Sequence, residues 1–542
     1  MRTTTPPVLN YISPGDSVLT TLSKRWAYAA WLLVIAAFAV LHVLHLSADF
    51  PNHSPWFNDW AKYTDEGWYG NAAVRAHLLG HWYMAGDFNP APAVPVWPFL
   101  EWILFFFTGV SMVAARALAV GFFGLDLLLG YLLLRASGSR WMALLAVTLA
   151  LTSPFLYAFS RLAILEPMLM AFLLAALNLA VRLPRMRRPV AASVLIGVLF
   201  TLMLLTKTSA VFLLPALGWA MMAALYRQKK LAVACTFAAA SAAVTTFGLW
   251  MAIIIHFGLL QDYQYLFFIN NYIKPANFYW PLLSFWWALH GGLWAGRLLI
   301  PLAGIAVLAA LLGWRTAWGR ALCINPAFGA SVLAVAGYIL FMTYQNHPQP
   351  RYFTVIALFS FFVLAMGIEA LHGAEKIPHY GGVLLLAATV IAAGGSAAST
   401  LSYAAHPEYT FVSAARQLTA YIDAHPNGRR MLVSISGDDI SMITHLPSLC
   451  DDFGTQDLPG KLAAYQPGWW ATWNDIDPGT LEDLHIHYSL EQVARFRAFD
   501  DPDRNILVLF KLHPLPDQDP RDPREQNLQV PLPGDIIDIP IE

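Results

Sequence analysis

The stretch SRLAILEPMLMAFLLAALNLAVR, residues 160–182, decides how this chain is read. Its apolar run is long enough to cross a bilayer, and its two ends differ in charge. Arg182 opens a basic cluster with Arg185, Arg187 and Arg188, the expected signature of a cytoplasmic turn. Arg161 and Glu166 stand at the opposite end, against that bias. Ionisable groups held at a membrane boundary are functional candidates by default.

Working outward, comparable apolar segments fall at 25–46, 117–134, 141–157, 161–181, 190–206, 208–225, 231–257, 293–312, 327–343, 352–371 and 381–400, about 11 spans in all. Alternate connections carry Arg135 and Arg140, then Arg227, Lys229 and Lys230, then Arg315 and Arg320, then Lys376. These are the cytoplasmic turns. An odd number of spans with the N-terminus inside sends everything from residue 402 to the far side. Arg116, Lys207 and Arg351 join Arg161 on that outer face, where the carboxylates of Asp65, Glu66 and Glu166 also lie.

Composition agrees with a membrane protein, since 57% of the 542 residues are hydrophobic and only 12% charged, which excludes an ordinary soluble globule. A net charge of -1 without a basic stripe argues against a nucleic-acid partner. The topology separates Cys450 from Cys235 and Cys323, so no disulfide framework is expected. The expected class is a mainly α, polytopic membrane protein with a small C-terminal α/β domain outside the cytoplasm.

The units are a cytoplasmic tail 1–24, a membrane domain 25–401 with outer loops 47–116 and 258–292, a periplasmic α/β domain 402–513 and a Pro-rich tail 514–542. In the first loop, Pro98 to Thr108 is apolar but too short to cross, so it is expected to lie in the interface. The second loop is crowded with aromatics and reads as an interfacial helix pair or a lid. In the C-terminal domain, Phe411–Ala424 has a helical period, strands are expected at 430–435, 469–473 and 505–512, and 490–499 reads as helix followed by strand. Trp469, Trp470 and Trp473 suit the core of that domain better than a sugar-stacking face.

Four short motifs carry the chemistry: Asp65-Glu66-Gly67-Trp68-Tyr69 in the first outer loop, Arg161-Leu162-Ala163-Ile164-Leu165-Glu166 at the start of a span, Thr206-Lys207-Thr208 between two spans, and Arg351-Tyr352 opening a late span. Adjacent carboxylates divide labour, because like charges push their pKa values apart. A lipid phosphate at the membrane surface needs basic donors at that depth, and Lys207 and Arg351 are so placed. His53, His77, His81, His256, His290 and His347 match no zinc spacing.

In this order the motifs resemble the type C glycosyltransferases, specifically the protein O-mannosyltransferases and the lipid A aminoarabinose transferases. The resemblance covers about residues 25–371. It implies a polyprenyl-phosphate sugar donor, a lipid, glycan or protein acceptor, and an inverting transfer. Asp65 would be the base and Glu66 its orienting partner or a ligand for a divalent cation, with no cofactor otherwise implied. Lys207 and Arg351 would clamp the phosphate, and Tyr69 and Tyr352 would line the substrate. Glu166 would either pair with Arg161 or hold the acceptor or a cation, the pair being the expectation. Ala93-Val94-Pro95-Val96-Trp97-Pro98 lacks the lysine that the lipid A branch carries before its apolar half-span, which leaves the donor sugar open. The alternative reading is a transporter or flippase of lipid-linked sugars. Asp126, the clear mid-span carboxylate, is all that speaks for a path through the bilayer, and no internal repeat is visible.

Overall fold

The protein is described by a computed structural model covering residues 18–56, 58–269, 282–283, 286, 298–344, 349–375 and 377–515. Apolar helices dominate it. Among the described residues seven helices are long and apolar enough to cross a membrane, and the pair Leu299–Leu312 and Ala317–Cys323, bent by 120°, makes up to eight. The expected spans 141–157, 190–206 and 208–225 fall on shorter apolar helices, so length alone does not make them crossings.

The first helices in chain order are α1 (Val18–Val43), α2 (Asp65–Trp68), α3 (Asn71–Leu78), α4 (Val96–Thr108), α5 (Met112–Ser137), α6 (Arg140–Thr152), α7 (Pro154–Phe159), α8 (Glu166–Arg182) and α9 (Pro189–Leu204). A single span was expected over 141–157, but the chain breaks it between α6 and α7. Ser153 Oγ accepts from Leu156 N–H and Pro154 opens the new helix, so residue type rather than hydropathy sets the break. The helix Phe353–His372 lies at the centre and is almost wholly buried, as an all-round apolar helix must be. By contrast, Lys229–His256 is largely exposed at the periphery.

Helix α4 has 13 residues and fulfils the expectation of an apolar helix too short to cross. Trp97, Glu101 and Phe105 are buried, while Phe99, Trp102, Phe106 and Phe107 are exposed on the other side. Together with α2 and α3 it lies on the face of the helix bundle that also carries the C-terminal domain, called here the loop face.

The C-terminal domain contains a five-stranded sheet of order β2-β1-β3-β5-β4, with β1 Leu432–Val433, β2 Ser448–Leu449, β3 Trp469–Trp473, β4 Tyr488–Arg497 and β5 Ile506–Pro514. The parallel pairs are β1 with β2 and β1 with β3; β5 runs antiparallel between β3 and β4. One expectation fails here: 490–499 holds no helix. Its alternating half-buried pattern belongs to β4, which pairs with β5 along its length through a bulge at Gln492/Ala494, and the helix precedes it at Pro478–His487. Trp469, Trp470 and Trp473 are buried in the domain core. Most of 258–292 and all of the tail beyond 515 lie outside the described residues, and with them the lid and tail expectations.

Candidate active site

The loop face builds its polar centre from short, individually weak elements. Helix α2 has four residues and includes Gly67, so it is far below the length at which a helix holds itself together. Docking holds it. Gly67 packs backbone to backbone against Asp438 and Asp439 of the C-terminal domain, leaving no room for a Cβ, and Gly67 N–H donates to Asp439 Oδ1. Trp68 Nε1 donates to the Ile435 carbonyl at 3.1 Å.

This docking presents Asp65 and Glu66 to different neighbours. Arg116 on α5 grips Glu66 bidentately, Nε to Oε1 at 2.7 Å and Nη2 to Oε2 at 2.6 Å. Ala163 N–H adds a third bond to Oε1 at 2.8 Å. That amide is free to do so because residues 160–165 form the non-helical connection between α7 and α8. Glu66 is thus anchored rather than open, and no group of three or more His, Cys, Asp or Glu that could hold a metal ion occurs among the described residues.

Asp65 meets Arg351 instead, whose Nη2 lies 2.9 Å from Oδ2 at ion-pair distance but off the hydrogen-bond direction. Asp59 completes the arrangement, its Oδ1 accepting from Arg351 Nη1 and its Oδ2 from Arg351 N–H, each at 2.7 Å. Asp59 also caps the turn Trp60–Lys62 through Ala61 N–H. Burial raises the Asp65 pKa from its ordinary value, with Arg351 and Lys207 opposing the shift and Asp59 and Glu166 adding to it. Desolvation and the Asp65 charge likewise hold the Tyr69 hydroxyl well above its usual pKa.

Lys207 follows the end of α9 in extended conformation, and its ammonium pairs with Glu166, the first residue of α8. The same Nζ sits 4.8 Å from the centroid of the Tyr352 ring, and the Arg351 guanidinium 5.2 Å from it. Asp65, Glu66, Tyr69, Glu166, Lys207, Arg351 and Tyr352 therefore share one buried neighbourhood.

Arg161 does not join them, which corrects the expected Arg161–Glu166 pair. Its guanidinium turns away, donating to Tyr157 OH and to the carbonyls of Leu44 and His45 at the end of α1. The physical reason is the non-helical connection 160–165: Arg161 lies within it and reaches the end of α1, while Glu166, the first residue after it, faces Lys207. Asp59 is a site residue the sequence reading missed; its signal was an Asx-type helix start before Trp60. Nothing in the sequence pointed to Asp439. Asp126 is fully buried mid-helix, and neither of its oxygens is hydrogen-bonded among the described residues.

The family model described as dolichyl-phosphate-mannose-protein mannosyltransferase matches residues 78–274, a stretch that holds Arg116, Arg161, Glu166 and Lys207 but begins after Asp65. No curated protein matches the chain. Among solved structures, ArnT from Cupriavidus metallidurans bound to undecaprenyl phosphate is similar with a TM-score of 0.59 at 14% identity, over 89% of this chain and 98% of that one. Oligosaccharyltransferase AglB from Archaeoglobus fulgidus, in complex with an inhibitory peptide and a dolichol-phosphate, gives a TM-score of 0.51 at 12% identity, over 90% of this chain and 74% of that one. The chain thus resembles the type C glycosyltransferases, sharing the fold of ArnT and AglB and a stretch that matches the protein O-mannosyltransferases.

Proposed function

We propose that this protein is a membrane glycosyltransferase that moves a sugar from a polyprenyl-phosphate carrier to a lipid, glycan or protein acceptor, with inversion, at the periplasmic face of the cell inner membrane. The observation that carries the reading is the meeting of Asp65, Arg351, Lys207 and Tyr352 in one buried centre. The ligands in the solved relatives, undecaprenyl phosphate and a dolichol-phosphate, support the carrier.

The ion pairs suggest how donor binding prepares the base. A phosphate entering between Lys207 and Arg351 competes with Glu166 and Asp65 for their donors, and the bidentate guanidinium suits phosphate at least as well as carboxylate. Asp65 so released is a buried carboxylate with a raised pKa, a stronger base than a solvated one. The acceptor hydroxyl or amine attacks the anomeric carbon as the bond to the phosphate oxygen breaks. Its proton passes to Asp65, and the bonding pair leaves on the phosphate, where Lys207 and Arg351 stabilise the added charge. Glu66 carries no proton in this scheme: held by Arg116 and Ala163, it fixes α2 so that Asp65 faces the donor.

The test is transfer from a panel of radiolabelled polyprenyl-phosphate sugars by reconstituted protein, with membrane extract as acceptor. Transfer by the wild type and its loss in Asp65→Asn, with carrier binding retained, is the expected outcome. Equal transfer by both proteins would remove Asp65 from the chemistry.

A further inference from the structure

Helix α4 turns Phe99, Trp102, Phe106 and Phe107 outward and Glu101 inward. Glu101 is the sole titratable residue of α4 and is fully buried, and neither of its oxygens has a hydrogen-bond partner among the described residues. Trp97 Nε1, one turn earlier, lacks one as well. A charge here would be costly, which favours the uncharged acid. Desolvation keeps the carboxyl pKa well above its ordinary value, tempered by the Trp97 indole and reinforced by the charge of Glu66.

The basic groups on the surrounding elements are already committed. On α3, Arg75 pairs with Asp87 and His77 donates to the Trp102 carbonyl; on α5, Arg116 holds Glu66. Val96 N–H, at the start of α4, meets the Leu205 carbonyl, beyond which Lys207 pairs with Glu166. From the C-terminal domain, Asp438 and Asp439 pack on Gly67, and His445 donates to the Val110 carbonyl past the end of α4. Tyr69, where α2 ends, is a neutral phenol with its pKa well above the usual value. The charge that acts on Glu101 is the like charge of Glu66 on α2.

Glu101 Oε2 lies so close against Gly70 that no Cβ fits there. Gly70 is the corner between α2 and α3: its N–H donates to the Gly67 carbonyl at 3.1 Å, and its carbonyl accepts from Ala73 and Val74 at 2.9 and 3.1 Å. We propose that Glu101 is a positioning residue for Asp65: as an uncharged carboxylic acid wedged against Gly70 it holds the corner of α2 and α3, and its ionisation releases that corner. On ionisation the proton passes to solvent and leaves a negative carboxyl facing Glu66 with no free cation to pair with, so α4 must leave the corner for the charge to reach water. The inference deepens the transferase reading, and only its effect on rate rests on that reading.

Infrared spectra of the reconstituted full-length protein test the protonation without any substrate. The difference between wild type and Glu101→Gln, in which Asp126 and the other buried carboxyls cancel, should contain the carbonyl stretch of a protonated carboxylic acid at neutral pH. Its absence would overturn the proposal. Raising the pH until that band disappears should speed amide exchange over residues 65–78 by about tenfold in the wild type relative to Glu101→Gln and Glu101→Met at the same pH, and equal exchange in all three would overturn the proposal. Glu101→Met, an apolar chain of similar length, keeps the comparison open should the buried amide of Gln disturb α4. In the transfer assay, kcat/KM of the wild type should fall about tenfold per pH unit above that point, as loss of one proton requires, while both variants keep their neutral-pH rate. A fall shared by all three proteins would overturn the link to Asp65. Absence of transfer by every protein, with the band and the exchange as expected, would reject the transferase reading and leave Glu101 as the acid that holds the corner.

Discussion

Asp65 and Glu66 are neighbours in sequence with opposite fates, and the difference lies in their partners. Glu66 accepts from Arg116 and Ala163, whereas Asp65 is buried beside a guanidinium it shares with Asp59. Because burial raises the Asp65 pKa, its carboxyl ionises at a higher pH than that of a free Asp. A profile of kcat/KM against pH should therefore show an acidic limb rising above about pH 4, the value of a free Asp, and Asp65→Asn should abolish it along with most activity. An unshifted limb would deny the role. The same raised pKa means that the folded state binds more protons than the unfolded one between the two values, so this group's contribution to stability falls as pH rises through that window. The Lys207–Glu166 pair allows a second test. Lys207→Met leaves Glu166 buried and unpaired, and should destabilise the protein by about 3–5 kcal/mol in denaturant unfolding, while adding Glu166→Leu should recover most of the loss. Both variants should be inactive. A double variant no more stable than the single one would mean that the pair is not the relevant contact.

At the scale of elements, α2 is a short helix that exists through its docking. Its contact with Asp438 and Asp439 is backbone to backbone, so a methyl group cannot be accommodated by moving a flexible side chain. Gly67→Ala should displace the helix and cut transfer at least about 100-fold, the penalty expected when catalytic groups shift by about an ångström. Gly121→Ala on α5, where open space surrounds the position, is the matched control and should retain full rate. Equal rates for the two variants would show that α2 tolerates movement. Legibility followed the same division. Helix Thr410–Ala424 and strand Trp469–Trp473 fell where period and composition placed them, because those signals are local. The β4 expectation failed because its half-buried alternation on a bulged strand imitates a helical period. Arg161 and Glu166 looked like partners because a carboxylate at the membrane needs one, but Lys207 supplies it and Arg161 turns to Tyr157 and the carbonyls of Leu44 and His45.

Over the whole molecule, the C-terminal domain works as a clamp on the first loop. Asp49 accepts from Thr410 and Phe411 at the N-terminus of the helix Thr410–Ala424, a cap supplied from the far end of the chain. Buried Lys62 and Tyr63 meet Asp501, and Arg75 meets Asp87 with Asp438 nearby. These bonds enclose α2 and α3. A chain ending at Ala405 should therefore remain membrane-inserted but show fast amide exchange over residues 59–78 and no transfer, measured by hydrogen exchange in detergent. Unchanged protection of 59–78 in the shortened chain would show that the membrane domain alone orders the loop.

What the sequence determined by itself was the class of the molecule and the list of chemically able residues. Hydropathy and charge bias are summed over many positions and survive local error, so Lys207 and Arg351 stood out as basic groups on the outer face, and Asp65 and Glu66 as an adjacent acidic pair in the first outer loop. Only the tertiary structure decided who faces whom: Glu66 with Arg116, Glu166 with Lys207, Asp65 with an Arg351 already held by Asp59, and Arg161 with Tyr157 and the carbonyls of Leu44 and His45. Ion-pair partners are set by distances of a few ångströms between segments far apart in the chain, and no periodicity or composition encodes them.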